Sequence, residues 1–93
     1  STLFPYTTLF RSPYLISDSS SEPFYLRMNE YCEVVKSQGQ KRTIPVLDVQ
    51  SVFDTAVKQR PAREWAEDQI HPQHEGHSLI ASAAFAFLKD QIT

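Results

Sequence analysis

The side chains in this sequence best suited to chemistry lie in one stretch, Asp68-Gln-Ile-His71-Pro72-Gln-His74-Glu-Gly76-His77. Asp68 and His71 stand three positions apart. A carboxylate bonded to one imidazole nitrogen fixes the tautomer of the ring and stabilises its protonated form. The other nitrogen is then free to take the proton of a hydroxyl, which is how a weak serine nucleophile is activated. Pro72 disfavours the helical region for the residue before it, so His71 is presented from an extended or turn segment. Taken alone, the same pair also reads as a surface turn in which Asp68 accepts a backbone hydrogen bond.

His71, His74 and His77 recur every three residues, and three histidines are one way to hold a catalytic zinc. Pro72 and Gly76 interrupt that run, so it is not one helical face, and no HExxH pattern is present. Neither a metal nor a cofactor is expected. His74 reads as a solvated loop residue. Ser17, Ser19, Ser20 and Ser21 cluster after a short apolar run and read as loop and capping residues rather than nucleophiles. Asp48, at the end of an apolar run, reads as a helix cap. Cys32 is the only cysteine and reads as a small buried apolar residue on a helix.

The elements that must position this stretch follow from hydrophobic spacing. Pro13–Ser17 reads as the end of a buried strand. A serine at 19 to 21 then caps a helix with Pro23 in its first turn. Phe24, Met28, Tyr31 and Val35 give that helix one apolar face, and Gly39 marks its stop. Residues 44–49, Ile-Pro-Val-Leu-Asp-Val, are apolar enough for a parallel strand covered on both sides. Val49, Val52, Phe53, Ala56 and Val57 keep helical spacing, and this helix ends before Pro61. Residues 58–70 read as an irregular connection around Trp65. A final helix starts near Gly76, with Leu79, Ile80, Ala83, Ala84, Phe87 and Leu88 as its buried stripe. Strand, helix, strand, helix, loop, helix predicts an α/β arrangement with a parallel sheet. Two strands do not complete such a sheet, so the order reads as the last third of a larger doubly wound domain.

The block Asp68-x-x-His71-Pro72, then Gly76-His77 and an Ile-Ala-rich helix, resembles the last motif block of the SGNH (GDSL-type) hydrolases. The resemblance extends upstream through the strand near Pro13, the helix after it and the strand ending in Val46-Leu47-Asp48, and so covers residues 13–93. It implies the C-terminal part of a flavodoxin-like α/β/α three-layer domain. It also implies a serine carboxylic-ester hydrolase working through an acyl-enzyme, with His71 as general base and acid, Asp68 orienting it, and no cofactor. By the same resemblance His77 helps pack or cap the last helix. Trp65 is a candidate wall of the substrate pocket, or else an anchor for the loop. The substrate would be a small-molecule ester, an acyl lipid or acetylated sugar. The family draws its nucleophile from a Gly-Asp-Ser-type block near the N-terminus, and its oxyanion donors from blocks in between. None of these is present here; Asn29 does not match the oxyanion asparagine. The 93-residue chain is therefore expected to be inactive alone, since losing one triad member costs about 10⁴- to 10⁶-fold in comparable systems.

Residues 2–12, TLFPYTTLFRS, match at every position the translation of a widely used sequencing-adapter oligonucleotide. Residues 1–12 are accordingly expected to be an adapter-derived artefact and no part of a domain, with the natural sequence starting near Pro13 and the parent's true start lying upstream. Their Thr, Phe and Tyr content nonetheless suits a strand.

The remaining numbers bound the function. A chain of 93 residues with a formal charge of −2 carries no basic stripe for nucleic acid and no basic amphipathic segment for a membrane surface. No apolar run reaches the roughly 20 residues that span a bilayer. A single cysteine suits a reducing, cytoplasmic compartment. Two other readings compete with the esterase: a non-catalytic α/β binding module, and a truncated fragment without function of its own.

Overall fold

The computed structural model describes residues 10–92. Strand β1 (Phe10–Arg11) leads through an extended loop to helix α1 (Pro23–Arg42), strand β2 (Val46–Leu47), helix α2 (Val49–Ala56), the single turn α3 (Ala62–Trp65) and helix α4 (His74–Ile92). The strands are parallel, Phe10 opposite Val46 and Arg11 opposite Leu47, so β1, α1 and β2 form a β-α-β crossover. No helix among the described residues is long and apolar enough to cross a membrane.

The strand ladder is shorter than the sequence predicts, and at one end it sits earlier. Pro13–Ser17 joins no ladder, although Leu15, Ile16 and Ser17 are buried. Beyond Leu47 strand β2 turns into α2, so the ladder with β2 stops there. A buried side chain replaces it: the Gln50 carbonyl accepts from Leu15 N–H at 2.7 Å, and its amide donates to Leu15 C=O at 2.9 Å. Buried backbone groups need such partners. Phe10–Arg11, inside the segment read as adapter-derived, supplies the pairing instead. Ser12 from the same segment is fully buried, and its hydroxyl accepts from Val49 N–H at 2.9 Å. The rest of that segment, residues 1–9, lies outside the described residues.

Helix α1 also departs from its predicted frame. It starts at Pro23 with Glu22, not a serine, at the capping position, and the Ser19 and Ser21 hydroxyls bond each other at 2.9 Å. Gly39 does not end it. The helix continues to Arg42, and the left-handed residue that stops it is Thr43, at φ 56° and ψ 40°. Gly39 serves packing: a Cβ there would lie 2.4 Å from Val46 Cγ2. This contact and a Cys32 Sγ–Pro13 carbonyl bond of 3.0 Å turn the Cys32–Gly39 side inward. Phe24 and Tyr31 of the predicted face are left 71% and 52% exposed.

Helix α2 matches its predicted span and cap. Asp48 accepts from Ser51 N–H at 3.1 Å and from the Ser51 hydroxyl at 2.9 Å. Phe53 is completely buried and stacks at a tilt on Tyr14, ring centroids 5.1 Å apart. Around it lie Ile16, Leu47, Val49, Ala56, Ala62, Trp65 and Ala66. Of the predicted stripe of α4, Leu79, Ile80, Ala83, Ala84 and Phe87 pack against that core, and Leu88 does not belong to it. Within the stretch expected to be irregular, α3 adds one turn, its first N–H donating to Asp18 at 2.8 Å. Trp65 ends it, half a dozen residues before His71.

Candidate active site

Residues 66–72 form a loop closed at its base. Ala66 and Pro72 make an antiparallel bridge, and Gln73 N–H donates to the Trp65 carbonyl at 2.8 Å. Helix α4 starts directly behind this closure. Gly76, in its first turn, sits where a Cβ would be 2.8 Å from the Trp65 carbonyl oxygen and 2.7 Å from Pro72 Cβ. Only a glycine lets the helix come this close to the loop it supports.

Inside the loop, Asp68 organises the turn with one oxygen and the imidazole with the other. Its Oδ1 accepts from His71 N–H at 2.8 Å and Ile70 N–H at 3.1 Å. Its Oδ2 accepts from His71 Nδ1 at 2.5 Å. The bond from the His71 ring, helped by those two backbone N–H groups, holds the Asp68 carboxyl down to about 2. An ionised carboxylate at Nδ1 keeps the proton on that nitrogen and leaves the Nε2 lone pair outward. The ring is 79% exposed and Asp68 51%, beside a shallow depression of about 300 Å³ that Glu67 and Gln73 also line. The same carboxylate thus makes both the backbone bonds of a turn and the contact to the imidazole.

The loop is held against the chain that leaves β1. Ile16 N–H donates to the Gln69 carbonyl at 2.9 Å, which sets the pair beyond the C-terminal end of the strands, where α/β sites open. The Gln69 side-chain amide donates to Glu22 Oε2 at 3.0 Å, and the Ser17 hydroxyl donates to the same oxygen at 2.5 Å. Sequence reasoning did not find Gln69, Glu22 or Gln50 as structural partners. Their contacts join residues 35 and 47 positions apart, and no local pattern encodes them.

Trp65 does not border the depression beside His71. It is buried to 8% exposure, donates from Nε1 to the Arg60 carbonyl at 3.2 Å, and carries the Arg60 guanidinium 4.4 Å above its ring. It also lines a separate recess of about 430 Å³ with Ser51, Thr55 and Leu79, on the side of α2. His74 opens α4 and is exposed, as is His77 in the same first turn. Among the described residues no three His, Cys, Asp or Glu side chains converge on one point. Ser17 is buried and bonded to Glu22. A wider recess of about 940 Å³, lined by Lys36, Gly39, Ile44, Val46 and Phe87, lies at the start of β2, at the other end of the sheet from the pair.

No protein-family model matches the chain. An acetylxylan esterase of Geobacillus stearothermophilus is 27% identical over 75 residues, 81% of this chain and 34% of the esterase. The solved structure of LAE5, an alpha/beta hydrolase enzyme from the metagenome of Lake Arreo, superposes with a TM-score of 0.85 at 27% identity, over 88% of this chain and 38% of LAE5. Axe2, an acetylxylan esterase from Geobacillus stearothermophilus, superposes with a TM-score of 0.84 at 25% identity, over 87% of this chain and 37% of Axe2. The chain is similar to part of an esterase. It spans about a third of the length of these relatives. Its fold is correspondingly consistent with part of such a domain. Solved catalytic mutants of Axe2 replace a serine close to its start, an aspartate, and a histidine three positions after that aspartate, each by alanine.

Proposed function

We propose that this chain is the C-terminal, Asp-His-bearing part of an SGNH-type serine esterase, whose nucleophile comes from sequence outside it. The observation that carries this reading is the 2.5 Å bond from His71 Nδ1 to Asp68 in a turn tethered beyond the strand ends. Its support is the matching aspartate–histidine spacing among the Axe2 catalytic mutants, together with coverage of only about a third of that enzyme. The exposed apolar side of α1 at Phe24, Tyr31 and Val34 fits a flavodoxin-like three-layer domain in which further elements cover it.

In this reading His71 Nε2 takes the proton of the serine hydroxyl as its oxygen attacks the ester carbonyl carbon. The carbonyl π electrons move to the oxygen and give a tetrahedral oxyanion. The imidazolium, stabilised by Asp68, returns the proton to the departing alkoxide as the C–O bond breaks. A water activated by the same nitrogen then attacks the acyl-serine, and the acid leaves. The exposed ring suits a site completed by a second wall. The substrate class is a small acyl ester, with acetylated sugars favoured by the acetylxylan esterase relative.

The test is a chimera in which residues 10–93 replace the matching third of Axe2. It is expected to hydrolyse p-nitrophenyl acetate and to lose about 10⁴-fold or more with His71→Ala. The free 93-residue chain should show no rate above its own His71→Ala variant. A well-folded chimera whose rate is indifferent to His71 overturns the reading, and leaves the chain as a non-catalytic α/β piece.

A further inference from the structure

The outer part of the loop that carries Asp68 and His71 is not held by burial. Its one large apolar side chain, Ile70, is 47% exposed, and both members of the pair face solvent. Above the closure at its base, polar contacts tie it to the chain between β1 and α1: one is the Ile16 N–H bond to the Gln69 carbonyl, and the side-chain contacts converge on Glu22. The Glu22 carboxylate accepts from the Ser17 hydroxyl at 2.5 Å and from the Gln69 amide at 3.0 Å through Oε2, with a longer contact of 3.3 Å to Oε1. Glu22 is also the residue that opens α1, where a carboxylate is favoured by the unpaired N–H groups of the first turn. Gln69 stands between Asp68 and His71 with a left-handed φ of 72°, a conformation that costs a non-glycine residue energy and persists only when its surroundings impose it. Its carbonyl is taken by Ile16 N–H and its amide by Glu22, so both ends of Gln69 are fixed.

We infer that Glu22 is a positioning residue for His71: through Gln69 it locks the turn in which Asp68 and His71 meet. Ser17, buried beneath it, orients the carboxylate. The carboxylate's hydrogen bonds go to Ser17 and Gln69, and none goes to α2 or α4, the helices packed around Phe53. The inference rests on the triad reading for the purpose the lock serves. The lock itself is tested in the free chain, where it is visible whether or not a completed enzyme turns over.

Hydrogen exchange by NMR on the 93-residue chain reads it. In Glu22→Ala the amides of Ile16, Ile70 and His71 are expected to exchange about tenfold faster or more, while those of Phe53 and Val57 in α2 keep their rates. The ring-nitrogen shifts of His71 should move toward those of a free imidazole. Glu22→Gln, which keeps an acceptor in place, should restore most of the protection. Gln69→Gly, which relieves the left-handed backbone but removes the amide, should loosen the loop as Glu22→Ala does. Unchanged loop amides and ring shifts in Glu22→Ala overturn the proposal. So does loosening spread equally over loop and core amides, which would make Glu22 a stabiliser of α1 alone.

Discussion

Gly76→Ala is the substitution that most directly probes how α4 supports the loop. The added methyl would fall 2.7 Å from Pro72 Cβ and 2.8 Å from the Trp65 carbonyl oxygen. Neither neighbour is the far end of a flexible chain. One belongs to a proline ring in the Ala66–Pro72 bridge, and the other is backbone already bonded to Gln73 N–H. The start of α4 must therefore back away by roughly half an ångström or more, against packing that resists it. Overpacking of this kind costs about 1–3 kcal/mol. Alanine regains about 0.8–1.0 kcal/mol of helix propensity in a helix interior, and less in the first turn where Gly76 lies. The net loss is about 1–2 kcal/mol. With a urea slope near 1 kcal/mol/M for a domain of this size, the unfolding midpoint followed by circular dichroism should fall by about 1–2 M. A midpoint equal to or above that of the wild type would show that α4 does not press on the loop base, and the account of how the turn is held would fail.

Other perturbations read other parts of the structure. Phe53→Ala removes a completely buried ring and should cost about 3–5 kcal/mol, enough to abolish cooperative urea unfolding in so small a domain; a persistent sharp transition would contradict the assigned core. Thr43→Gly relieves a β-branched residue held at φ 56° and should raise the urea midpoint by roughly 0.5–1 M, the backbone relief being partly offset by the flexibility of glycine. Because His71 holds the Asp68 carboxyl down to about 2, the pair's contribution to stability is whole above about pH 4 and is lost as pH falls through 2. Urea midpoints of wild type and His71→Ala should therefore differ most above pH 4 and converge as pH approaches 2, and parallel curves would remove the linkage.

The sequence makes the order of elements legible because periodicity is local. Val49, Phe53 and Ala56 declare the face of α2, and Leu79 to Phe87 that of α4, within a few residues of each other. The Asp68–His71 pair is legible for the same reason: three positions and a following proline suffice to suggest a turn. What escapes depends on distant chain. Gly39 reads as a helix stop, yet it is Val46 pressing on it that requires glycine, and the stop passes to Thr43. The inward side of α1 differs from its predicted frame because Cys32 and Gly39 meet Pro13 and Val46, contacts no helical wheel contains. Trp65 follows the same rule: its contacts with Arg60 and the core, not its closeness to Asp68 in sequence, set where its ring lies. The extended segment after β1 gives no local sign that the amide of Gln50 will stand in for a missing strand.

The most direct measurement is the protonation pattern of the His71 ring in the intact chain, read from its two nitrogen shifts by NMR near pH 7.5. A proton is expected on Nδ1, shared with Asp68, and none on Nε2, with Asp68→Asn reverting toward the mixture of a free imidazole. A wild-type ring protonated chiefly on Nε2 and indifferent to Asp68→Asn would contradict it, since the nitrogen required as base would already be occupied.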